Sequence, residues 1–140
     1  MPALELLRGW RVLADPEALD HARWTASGLI VLRFAPDEAF AVNAEGVELA
    51  DPHAIAEVDH GFVGAWLKHD DVPAVVAHLD WPMPGSPGVV GQGKIAGVPA
   101  KLWTLSPSAS NGRDLDGAEV LLVTHAAYGH ELADRLGWPG

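Results

Sequence analysis

Gly88-Val89-Val90-Gly91-Gln92-Gly93-Lys94 has the GxxxxGK spacing of a phosphate-binding loop. That chemistry needs Ser or Thr after the lysine to hold magnesium. It also needs a strand before and a helix after, so that amides at a helix start face the phosphates. Here Ile95 follows the lysine, a Pro-rich stretch precedes the motif, and strand-like residues come next. The segment reads as a glycine-rich turn entering a hairpin.

Seven histidines raise the question of a metal. Asp51, His53, Asp59, His60, His69, Asp70, Asp71, His78 and Asp80 crowd the middle of the chain, and a zinc or iron site would draw three or four such ligands together. No HxH or HExxH pair occurs, and His130-Glu131 lacks the second histidine four residues on. His69, Asp70 and Asp71 fall where a helix cap is expected. No metal ligand is assigned, although a metal-dependent enzyme built on these His and Asp residues is one alternative. Asp59-His60 with a serine would suggest nucleophilic catalysis. However, Ser106, Ser108 and Ser110 lie in a polar loop, Ser27 has no supporting context, and no G-x-S-x-G elbow exists. No catalytic residue is assigned, no cofactor is expected, and the balance is against an enzyme.

Six tryptophans are the strongest compositional signal. Trp66 and Trp103 fall on strand patterns, where burial is the default. With Asp59 they are also the first candidates to line a cleft for a pterin, folate or flavin. Trp10, Trp24, Trp81 and Trp138 sit at element ends or next to Pro and Gly. Indoles exposed there favour association, because they bury much area at small entropic cost. The expected interface comprises Trp81, Met83 of the Pro-rich loop, and Trp138.

The elements that must position these residues follow from periodicity. The stretch from Met1 to Val12 fits a strand or a helical turn equally. Asp15-Pro16-Glu17 opens a short helix to about Trp24, with Gly28 as its stop. Leu29 to Phe34 is a buried strand, Ala35-Pro36-Asp37-Glu38 a turn, and Ala39 to Val42 the returning strand. Asn43 to Asp51 reads as loop, and His53 to Val58 as a candidate strand. Along Phe62 to Leu67, Phe62, Gly64 and Trp66 share one face and Val63, Ala65 and Leu67 the other. Asp71 caps a helix to about Leu79, whose stripe is Val72, Val75, Val76 and Leu79. Lys94 to Ala96 and Val98 to Leu105 make a hairpin about Gly97, with Pro99 near its start. Ser106 to Ala118 is expected to be a mobile loop. Val120 to Val123 is a central strand. A last helix opens at Thr124 or His125, buries Tyr128, Leu132 and Leu136, and ends at Gly137.

The result is one α+β domain over residues 1–140. From Phe62 the order is strand, helix, hairpin, strand, helix, the alternation of a ferredoxin-like sandwich: a mostly antiparallel sheet with two or three helices, here preceded by a β-hairpin. At 140 residues and 49% apolar, the chain can bury such a core. Its formal charge of −10 repels phosphate backbones and anionic lipid, so neither nucleic acid nor membrane is an expected partner. The absence of cysteine fits a cytoplasmic setting. Met1 to Arg11 carries Glu5 and no long apolar run, unlike a signal peptide.

Several stretches together carry a family likeness: Val58-Asp59-His60-Gly61, the strand Phe62 to Leu67, the helix from Val72 to Leu79 and the loop Pro82 to Gly88. Gly93 to Trp103, the strand Val120 to Val123 and the helix Tyr128 to Leu136 continue it. Upstream, Leu32 to Glu38 matches an apolar strand before a Gly-Pro-Asp-Glu turn. This pattern resembles the gamma subunit of heterotetrameric sarcosine oxidase, of the folate-binding aminomethyltransferase-like folds, over about two thirds of the chain. Ala35 replaces the turn glycine, and His60 stands where the family tends to have Ser. The resemblance implies a non-catalytic domain that binds a protein partner, or self-associates, beside subunits that carry the flavin and folate chemistry.

Overall fold

The computed structural model describes residues 2–84, 88–104 and 118–139. The loop expected over Ser106 to Ala118 lies outside these residues except for Ala118. In chain order the elements are β1 (Glu5–Leu6), β2 (Gly9–Leu13), α1 (Pro16–Asp20), β3 (Arg23–Ala35), β4 (Glu38–Glu48), β5 (Ile55–Asp59) and β6 (Phe62–Lys68). Next come α2 (Val72–Val76), β7 (Val90–Ile95), β8 (Val98–Thr104), β9 (Ala118–His125) and α3 (Ala126–Leu136). The strands form two antiparallel sheets, and the chain divides into two compact units: Leu7–His60, and Met1–Leu6 with Gly61–Gly140.

The Leu7–His60 unit is a four-stranded sheet ordered β3-β4-β2-β5. The β3–β4 hairpin turns at Pro36-Asp37, as its turn chemistry requires. Both strands are longer than expected. The helix ends at Asp20 rather than Trp24, and Trp24 already pairs with Val47 in the sheet. Gly28 is therefore not a helix stop. It lies in a bulge where Ala26 pairs with Ala44 but the next pair is Ile30 with Val42. Gly28 and Asn43 both take positive φ there, and the Asn43 amide donates to the Gly28 carbonyl at 3.1 Å. The polar stretch after Val42 is accordingly strand to Glu48, because its alternate residues pair with β3. Helix α1 packs Ala18 and Leu19 against Val12, Ala14 and Ala39.

Asp15 makes no side-chain cap on α1. Instead the Asp51 carboxylate accepts the Asp15 and His53 backbone N–H groups, each at 2.8 Å. The Asp15 bond, then the His53 bond, holds the Asp51 pKa below its ordinary 3.8; desolvation opposes them and the nearby His53 charge assists. A lowered folded-state pKa stabilises the fold above the unfolded value, and that contribution is lost as pH falls through the folded value. Asp51→Ala is therefore expected to lower the denaturation midpoint at neutral pH. Its difference from wild type should shrink as pH drops below 3.8. A pH-independent difference would show that the carboxylate's charge plays no part.

In the other unit the sheet order is β1-β6-β9-β8-β7, with β9 at the centre as its two-sided apolar pattern requires. One face carries Leu67, Val98, Ala100, Leu102, Val120 and Leu122, and both Val75 of α2 and Leu132 of α3 join that cluster. Helix α2 is shorter than its stripe suggests: it stops at Val76, and Leu79 instead forms a bridge with Ile95 of β7. Asp71 gives no side-chain cap; its carboxylate accepts the Lys68 N–H at 3.0 Å and closes the β6–α2 turn. Gly137 takes φ 73 after α3, and Trp138 N–H donates to the Ala133 carbonyl at 2.8 Å. Tyr128, expected on the buried stripe, is 41% exposed, whereas Leu132 is fully buried. No helix among the described residues is long and apolar enough to cross a membrane.

Candidate functional site

The glycine-rich motif resolves into packing. Gly91, Gly93 and Ile95 share a face of β7 with Leu102, Ala100 and Val98 as their pairing partners. A β-carbon on Gly93 would lie 2.5 Å from the Trp81 indole nitrogen, and one on Gly91 2.9 Å from the Trp81 ring and from Pro84. The two glycines clear a bed for the Trp81 indole, whose N–H donates to the Lys94 carbonyl at 2.8 Å. Lys94 therefore lies within a strand rather than opening a helix. Gly93→Ala should cost about 2 kcal/mol by displacing that ring. In a Trp81→Ala background the cost should largely vanish, which a double-mutant cycle by urea denaturation measures.

The three residues expected at an interface have a local role. Trp81, Met83 and Trp138 are partly buried and pack against the core of their own unit. Of the three expected to line a cleft, two come together. Trp66 and Trp103 both pair with Leu121, one from each side, so they flank it on the sheet face opposite α2 and α3. Their rings meet edge to face at 6.2 Å. The Trp103 indole nitrogen is buried and has no hydrogen-bond partner among the described residues. Asp59 ends β5 in the other unit.

Trp66 also lines a cavity of about 270 Å³ with Pro2, Lys68, Asp70 and Asp71. Sequence reasoning had placed Trp66 in a cleft but missed these neighbours. The turn that brings Asp70 and Asp71 back beside β6 is the only local signal for them. The arrangement offers a stacking face beside a carboxylate. Among the described residues no group of three or more His, Asp or Glu side chains gathers to hold a metal ion.

A second candidate surface is β5. Among the described residues it is an edge strand, paired with β2 on one side, and its residues are exposed through Val58. Ile55 and Val58 are each 55% exposed and project from opposite faces; Leu13, opposite Ile55 on β2, is exposed beside it. Sequence reasoning found this strand but not its edge position, which depends on pairing with β2, distant in the chain. No family model matches the chain, and no curated protein matches it significantly.

Proposed function

We propose that this chain is a non-catalytic accessory or assembly domain that holds a protein partner, with the β5 edge as the docking element. The observation that carries the reading is a strand that exposes branched aliphatic side chains on both faces and, among the described residues, lies at the edge of its sheet with β2 as its one neighbouring strand. An added strand would cover both features at once. The likeness to the sarcosine oxidase gamma subunit from Asp59 onward supports a partner-binding role in a cytoplasmic complex. The ferredoxin-like reading of the C-terminal unit belongs to the same proposal, supported by α2 and α3 joining one core cluster.

The test is affinity purification from the native extract, comparing wild type with an Ile55→Asp/Val58→Asp double variant. The wild type should retain one partner in constant proportion, and the variant should lose it while its far-UV circular dichroism is unchanged. A wild-type chain that stays strictly monomeric in light scattering and retains no partner would overturn the reading.

The Trp66 cavity favours a second reading, a small-molecule module for a pterin, folate or flavin. A planar ring would stack on Trp66, with Asp70 receiving its ring N–H groups. Titration with such compounds should quench tryptophan fluorescence in the wild type and far less in Trp66→Phe. Absence of quenching across the panel removes this reading.

A further inference from the structure

We infer that the strand added to β5 is a basic, extended segment of the partner, with a Lys or Arg side chain set opposite Glu57. This rests on the proposed docking role of the edge and specifies the occupant. Glu57 lies across from Arg11 of β2, yet the Arg11 guanidinium is already engaged by Glu38, at 2.6 and 2.8 Å. Glu57 therefore ends a cross-sheet row as an exposed carboxylate with no ion pair among the described residues. The next position in that row belongs to whatever strand is added, and opposite charges directly across an antiparallel pair stabilise it.

The same charges argue against a second copy of this chain. In antiparallel self-pairing of β5 centred on Glu57, that residue faces itself; centred on Val58, it faces Asp59. Both place like charges opposite each other. A net charge of −10 adds long-range repulsion between copies and attraction for a cation-rich segment. The acidic residues thus disfavour the full-length self-pairing of the edge, centred on Glu57, and leave the aliphatics Ile55, Ala56 and Val58 to a basic strand of alternating pattern.

The experiment titrates the full chain with a short blocked peptide alternating lysine and valine, and separately with its glutamate-valine counterpart, and follows backbone amide resonances. The lysine peptide should shift the amides of Ile55 to Asp59, with an affinity that falls as salt rises. Glu57→Lys should weaken it about tenfold and turn the preference toward the glutamate peptide. The remaining amide spectrum of the variant reports that it is folded. Equal binding of both peptides at β5, unaffected by Glu57→Lys, overturns the basic-partner inference while leaving the edge as a docking element. If neither peptide shifts the β5 amides, the docking role fails with it. A dimer in light scattering that Glu57→Lys abolishes would also overturn the inference.

Discussion

Replacing Gly9 by alanine is expected to cost about 3 kcal/mol of stability, the upper end of what overpacking usually costs. Gly9 is buried in β2 between two strands, opposite Val42 on one side and Asp59 on the other. A β-carbon there would come 2.4 Å from the Ala41 carbonyl oxygen and 2.9 Å from the Phe40 ring. The first contact is with backbone, so no side-chain rotation relieves it, and Phe40 is fully buried and has nowhere to move. The β2–β4 pairing would have to open locally. Gly46 is the control. It too lies in a paired strand, but a β-carbon there meets nothing closer than Thr25 at 4.0 Å. Gly46→Ala should be neutral or slightly stabilising, because it removes freedom from the unfolded chain. Urea denaturation of the two variants measures the contrast. Equal effects would show that the close approach at Gly9 does not set its cost.

Leu132→Ala should cost about 3 to 4 kcal/mol, the usual range for deleting a buried leucine side chain. Leu132 is fully buried and enters the cluster of Leu67, Val75, Leu102 and Leu122, so it anchors α3 to the sheet. The cavity would be walled by four different elements, which limits how far the surroundings can close on it. Tyr128, one turn earlier, should behave differently: Tyr128→Ala should cost less than about 1 kcal/mol because the residue is 41% exposed and leaves no closed cavity. A similar cost at both positions would mean that α3 docks through a wider stripe than Leu132 defines.

The contrast between Tyr128 and Leu132 shows where sequence reading stops. Both sit on one helical stripe, and periodicity cannot tell which turn of the helix overhangs the sheet. Gly9 carries no local signature at all, since its need for a bare α-carbon comes from Ala41 across the sheet. Gly91 and Gly93 did carry a signature, but it read as a glycine-rich turn entering a hairpin, whereas both lie within β7. Their neighbour Trp81 is close in sequence, yet only the fold lays its ring on them. Likewise Trp66 and Trp103 were each legible as strand residues, while their meeting over Leu121 required the register of β6, β9 and β8.

By itself the sequence determined the alternation of strands and helices after Asp59, the turn at Pro36-Asp37, the central place of Val120 to Val123 and the acidic charge. These are local properties: side-chain period, turn chemistry and net charge do not depend on distant residues. Tertiary structure alone decided that the strands split into two sheets, that Asn43 to Glu48 is strand, and that α1 and α2 are short. It also decided that β5 lies at an edge, with Glu57 in no ion pair among the described residues. The physical reason is that a sheet is made by hydrogen bonds between segments far apart in the chain. Such pairing assigns strand ends, edges and neighbours, and no single segment encodes them.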